Sequence, residues 1–213
     1  GKFFIQLDKT ISLHQSQLES YQDLKSALLQ KMFPQDKEKF PNVRFKGFEE
    51  EWIQHTLGDC FTERNERSSV GELISVTINS GVVKTSDLNR KNSSGEDKSN
   101  YKKVEIDDIA YNPMRMWQGA SGISNYAGIV SPAYTVITPK KAVSSLFFSY
   151  LFKLPKMVQT FQANSQGLTS DTWNLKYPLL KDIKVYVPTY EEQLLIGKFF
   201  IQLDKTISLH QSQ

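Results

Sequence analysis

Only one cysteine, Cys60, occurs in the 213 residues. A disulfide framework is therefore excluded, and a reducing compartment, the cytoplasm, is the expected location. No apolar run approaches the roughly 20 residues that a membrane-spanning helix needs, and the opening residues read as helix interior rather than as a secretory signal. Histidine is scarce, with three in the chain. No Cys, His or carboxylate cluster stands near them, so a metal site is not expected. Nor is there a Ser-His or Cys-His arrangement with a third orienting group. No glycine-rich turn follows a strand pattern, so the chain shows no nucleotide-cofactor fingerprint. A strongly basic block is missing too: the net charge is +3 and the pI near 8.8, a mild bias toward anionic partners.

What the chain does have is a repeat. Residues Gly1 to Gln17 and Gly197 to Gln213 are identical. Each copy reads as one unit of a larger pattern. The second copy has a beginning, because Thr189 with Glu192 three residues on forms a predicted capping box. The first copy has an ending, running on to Phe33 and stopping at Pro34, which cannot donate to a helix. Joined on paper, the two give one helix of about 41 residues, roughly 60 Å long. Along it Phe4, Leu7, Ile11, His14, Leu18, Tyr21 and Leu28 recur at spacings of three and four, interrupted at Lys25, and Phe200, Leu203 and Ile207 repeat the pattern. This is a heptad seam, which predicts packing against a second helix; the simpler alternative is a helix lying on its own domain.

Between the helices the pattern changes. Residues 34–42, charged and bounded by prolines, read as a linker. Trp52 to Phe61 suits a strand and turn. Glu72 to Ile78 alternates like a strand, with Asn79-Ser80-Gly81 as its turn. Residues 128–138 read as two strand pieces around a turn, where the sheet ends, and 182–188 as the last strand. Residues 144–152 and 156–163 suit helices. The expected fold class is α+β: a globular mixed α/β domain with long coiled-coil-type helices at both ends. The divisions are 1–33 helix, 34–42 linker, 43–188 domain and 189–213 helix. Leu73, Val76, Ile109, Val130, Tyr134, Phe147, Leu151 and Ile183 are the expected core.

Catalytic signals are weak. Asn112-Pro113 matches half of an amino-methyltransferase tetrapeptide, but Met114-Arg115 follows where proline and an aromatic are required. Asp87 with Glu96-Asp97-Lys98 has the form of a magnesium-dependent nuclease, placed in loop sequence that would not fix the carboxylates. Binding signals are stronger. The loop from Tyr111 through Asn112 to Ser121 holds Arg115, suited to guanine or phosphate, Gln118, suited to adenine, and Trp117. The blander reading has Met114, Met116 and Trp117 capping the core while Arg115 faces solvent. Thr169, Ser170, Trp173 and Lys176 form a second polar and aromatic loop. Lys84, Arg90, Lys91, Lys102 and Lys103 are candidates for a phosphate-contacting face.

Pro188-Thr189-Tyr190-Glu191-Glu192-Gln193, running on to Leu203-Asp204-Lys205-Thr206-Ile207, resembles the helical regions of specificity (S) subunits of bacterial type I restriction-modification systems. So does Leu28-Leu29-Gln30-Lys31-Met32-Phe33-Pro34. Val43-Arg44-Phe45 with Gly47-Phe48 and Trp52 looks like the start of that family's target recognition domain. The resemblance implies a noncatalytic subunit that reads one half of a split sequence in double-stranded DNA. Its helices would dock methyltransferase (M) subunits, and restriction motor-nuclease (R) subunits would join the complex. S-adenosylmethionine, ATP and magnesium would belong to those partners. With one domain and two incomplete helices, the chain is expected to be a half-subunit or fragment, able to form a homodimer through its helices. The competing expectations are a coiled-coil adaptor that binds protein rather than DNA, and the nuclease.

Overall fold

The computed structural model describes residues 2–35, 38–88 and 97–211. Helix α1 spans Lys2–Lys31, and the last helix, α6, spans Tyr190–Gln211. They lie antiparallel: the rings of Phe33 and Phe200 stack at 6.2 Å, Lys25 Nζ meets Asp204 at 2.5 Å, and Tyr21 stacks on His210 at 5.1 Å. The predicted helix pair therefore forms within the chain, but over only part of α1. His14, Leu18, Tyr21 and Leu28 are half-buried, as are Leu203 and Ile207, and Phe200 is wholly buried. Phe4, Leu7 and Ile11 were expected in the seam and are instead exposed, by 66%, 44% and 46%. The physical reason is geometric: α6 reaches only as far as His14 along α1, and no other described element covers residues 2–13. The same sequence thus occupies two environments.

The predicted capping box is half formed. Thr189 Oγ1 accepts from the Glu192 amide at 3.4 Å, but the Glu192 carboxylate is taken by the Arg44 guanidinium, with Nε and Nη2 each at 2.8 Å. Next to it, Gln193 accepts from the Ser144 amide at 2.9 Å and donates to the Pro188 carbonyl at 3.0 Å. These buried side chains fasten α6 to the domain, and Tyr150 adds a bond of 2.7 Å to Asp204.

Strand β1 (Ile53–Thr56) pairs antiparallel with β10 (Lys184–Val187). Between them Thr56 and Asp59 form the reciprocal capping box that opens the short helix α2 (Leu57–Cys60). One four-stranded sheet has the order β2 (Phe61–Glu63), β9 (Thr135–Pro139), β6 (Ile109–Tyr111), β7 (Ser121–Ile123) and is antiparallel throughout. The other has the order β4 (Gly81–Lys84), β3 (Leu73–Thr77), β8 (Gly128–Val130), β5 (Lys102–Val104), with β3 and β8 parallel. The predicted sheet is thus two sheets, and the last predicted strand belongs to a separate pair. Helices α3 (Ser145–Leu151), α4 (Pro155–Ala163) and α5 (Tyr177–Leu180) pack beside them.

Aromatic side chains dominate the larger core, in which Phe33, Trp52 and Phe147 touch one another as α1 ends and β1 begins. Such ring pairs favour edge-on and offset contacts, which lock relative orientation. A smaller aliphatic core holds Ile74, Val76, Val82 and Val130. Of the expected core, Val76, Ile109, Val130, Phe147, Leu151 and Ile183 are buried, whereas Leu73 and Tyr134 are half-buried. Leu73 misses because side chains alternate along β3, and Ile74 and Val76 take the inner face. Cys60 is buried, which pushes its thiol up to about 12, so it is inert at neutral pH.

Candidate nucleic-acid interface

The β6–β7 hairpin positions the first predicted loop. Tyr111 pairs with Ser121 across it, and both side chains are buried. These two, expected at a DNA face, lie inside the sheet as the loop's base. Above them residues 112–120 form a tightly bonded turn. Asn112 Oδ1 accepts from the Met114 amide at 3.0 Å, and the Arg115 carbonyl receives the amides of Gln118 at 2.9 Å and Ala120 at 3.1 Å. Gly119 reverses the chain at φ +78°, a conformation that glycine adopts without steric cost. Met116 is buried and pins the turn, so part of the blander reading holds. Arg115 is nevertheless exposed, with Asn112 and Gln118 half-buried. Neither Arg115 nor Gln118 has a side-chain partner among the described residues.

Trp117 ties the two predicted loops together. Its Nε1 donates to the Met114 carbonyl at 3.1 Å, and its ring meets Trp173 edge-on at 5.2 Å. A bond from the Leu175 amide to the Pro113 carbonyl, at 2.9 Å, reinforces the join. Trp117 and Trp173 thus serve packing in this structure. Thr169, Ser170 and Lys176 remain exposed on the second loop.

A second surface, not anticipated from the sequence, faces the first loop. At Gly122 an added Cβ would lie 2.8 Å from Val82 N and 2.9 Å from Gly81 Cα, closer than any side chain tolerates. Gly81 itself has φ +63°. Two glycines therefore let the edges of the two sheets cross, bringing the β3–β4 turn up to residues 112–120. Between them lies a cleft of about 600 Å³ lined by Thr77, Asn79, Ser80, Asn112, Arg115 and Gln118 among others. Lys153, just after α3, spans its two sides: Nζ donates to the Ile78 carbonyl at 3.1 Å and to the Gly119 carbonyl. Burial of that amine lowers its pKa to about 8. The only sequence signal for the crossing was the pairing of Ser80-Gly81 with Ser121-Gly122; Lys153 gave none.

The expected phosphate face is largely compensated. Lys102 is buried, with Glu63 at 3.4 Å, and Lys103 is paired with Glu66 at 3.0 Å and Glu105 at 2.7 Å. Both were candidates for phosphate contact; from β5 each meets carboxylates of the fold instead. Glu66 sits below the usual carboxylate range because the Lys103 ammonium donates to it. Lys84 lies over the Tyr126 ring at 5.2 Å. Arg90 and Lys91 lie outside the described residues, as does Glu96 of the nuclease motif. Asp87 is exposed, and Asp97 accepts from the Ser99 amide at 2.9 Å. Among the described residues no group of His, Cys, Asp and Glu is arranged to hold a metal ion, and no helix is long and apolar enough to cross a membrane.

The structure thus joins a body of short strands, with a polar cleft at a sheet crossing, to a pair of antiparallel helices. Residues 49–213 match the type I restriction modification DNA specificity domain, and the chain belongs to that family. Its fold is similar to that of the HsdS subunit from Thermoanaerobacter tengcongensis, with a TM-score of 0.65 at 12% identity over 99% of this chain and 50% of that one. It is likewise similar to the type I system S subunit from M. genitalium, with a TM-score of 0.58 at 18% identity over 96% of this chain and 53% of that one. The chain therefore spans about half the length of these proteins. No curated protein sequence matches it.

Proposed function

We propose that this chain is a noncatalytic, sequence-specific DNA-recognition part of a type I restriction-modification complex, working in the cytoplasm. Residues 43–188 are its target recognition domain and read one half of a split target in double-stranded DNA. The observation that carries this reading is the cleft, where Arg115 and Gln118 stand ready on a rigid turn with no partner in the described fold. Arg115 would fork onto guanine O6 and N7, and Gln118 onto adenine N6 and N7. Thr169, Ser170 and Lys176, on the loop joined through the tryptophan pair, would meet the DNA backbone and set register.

The helices would carry the partners. In this reading α1 and α6 dock methyltransferase subunits, which supply S-adenosylmethionine chemistry on an adenine swung out of the stack. Motor-nuclease subunits, with ATP and magnesium, join through the complex. The exposed Phe4, Leu7 and Ile11 support pairing with a second copy of this chain, because the same side chains at Phe200, Leu203 and Ile207 are seated.

Selection from a randomised DNA pool at two salt concentrations, with and without a methyltransferase subunit, tests the reading. A short motif containing adenine is expected, sharpened by the subunit, with affinity falling about tenfold or more between 50 and 200 mM salt. Arg115→Ala should erode sequence preference more than total binding. The adaptor reading is favoured by the carboxylate pairing of Lys102 and Lys103, and salt-insensitive association with protein but not DNA would establish it instead.

A further inference from the structure

Opposite Arg115 and Gln118, the β3–β4 turn presents an amide that the fold does not use. Asparagine in a turn ordinarily bonds its own backbone. Here Thr77 takes that task, its Oγ1 accepting from the Ser80 amide at 3.0 Å and approaching the Gly81 carbonyl at 3.4 Å. Asn79 is left exposed on the cleft with no side-chain partner among the described residues. Its position is nonetheless well defined. The preceding carbonyl, of Ile78, is held by Lys153, which also holds Gly119 on the other side. The glycine crossing fixes the far end of the turn.

We infer that Asn79 is a specificity-determining residue, meeting a base edge adjoining the one met by Arg115 or Gln118. The inference rests on the DNA-recognition reading of this cleft. A side-chain amide that offers one donor and one acceptor side by side matches adenine N7 and N6 in the major groove, whereas a carboxylate accepts from cytosine N4. Two sides bridged by one lysine would reach the duplex as a unit, so the positions read by Asn79 and Arg115 should be neighbours in the motif.

The test applies the same pool selection to the whole chain and to its Asn79→Ala and Asn79→Asp variants, with Arg115→Ala alongside. Thermal melting verifies folding, which an exposed turn residue should leave unchanged. Asn79→Ala is expected to keep total DNA binding within about threefold while losing about tenfold or more of discrimination at one base pair, beside those affected by Arg115→Ala. Asn79→Asp should shift that base pair from adenine toward cytosine. Motifs from both Asn79 variants identical to the wild type, with Arg115→Ala altering its own position, would overturn the inference and leave the recognition reading intact. Absence of any motif from the wild-type chain would overturn both.

Discussion

At the scale of single residues, the buried Arg44–Glu192 pair has the largest consequence for stability. Glu192 has no solvent exposure and both its oxygens are engaged. Removing one partner of such a pair strands the other's charge. Arg44→Ala or Glu192→Ala should therefore cost about 3–5 kcal/mol, while the double change to Met and Leu should cost much less; urea denaturation of the three variants decides this. Lys153 carries a pH signature. Its folded pKa of about 8 lies below the ordinary value of 10.5. Between those values the unfolded chain holds a proton that the folded chain has released. Stability relative to Lys153→Met should consequently be lowest below pH 8 and rise from there toward about pH 10, as urea midpoints for both proteins at pH 7 and 9 would show. Arg115 and Gln118 were legible in the sequence because unusual side chains cluster in one segment. Tyr111 and Ser121 misled because a strand end and a loop share the same composition, and only their pairing with each other shows where one becomes the other.

At the scale of elements, the repeat offers an internal control. Phe4 and Phe200 have the same neighbours in sequence, yet one is exposed and the other buried among Phe33, Tyr150 and Phe199. Phe200→Ala should cost about 3–5 kcal/mol and Phe4→Ala no more than about 0.5 kcal/mol in the monomer; chemical denaturation at low protein concentration separates them. Gly122→Ala should destabilise by about 1–3 kcal/mol through overpacking and disturb the cleft, measurable as a lower melting temperature together with altered DNA selection. Helices and strands were legible from periodicity, as α3, α4, β3 and β10 show. The division into two sheets was not, because strand pairing is set by long-range contacts and periodicity describes only which face a side chain takes; the close crossing at Gly81 and Gly122 is likewise a backbone contact. The cleft was half legible for the same reason: its Arg115 side advertises itself by composition, whereas Asn79-Ser80-Gly81 reads as an ordinary turn.

At the scale of the whole molecule, the cleft and the helix anchors use different side chains. The helices meet the domain at Phe33, Arg44, Ser144 and Tyr150, whereas the cleft is lined by the β3–β4 turn and residues of the 112–120 loop. On the proposed reading, changes in the β3–β4 turn or residues 112–120 would alter what is read without loosening what is docked, and exchanging those segments between relatives should leave any helix-mediated association unchanged in sedimentation. The anchoring of α6 has one more implication. Glu192 and Gln193 clamp its first turn, so every later residue leaves the domain at a set rotational phase. An α-helix advances about 100° and 1.5 Å per residue. One residue inserted beyond Phe200 would therefore swing whatever is bound farther along by more than a quarter turn about the helix axis. Roughly 7 residues, close to two full turns, would nearly restore the bearing and move it outward by about 10 Å. The clamp makes the helix behave like a threaded shaft, on which distance and direction cannot be adjusted independently.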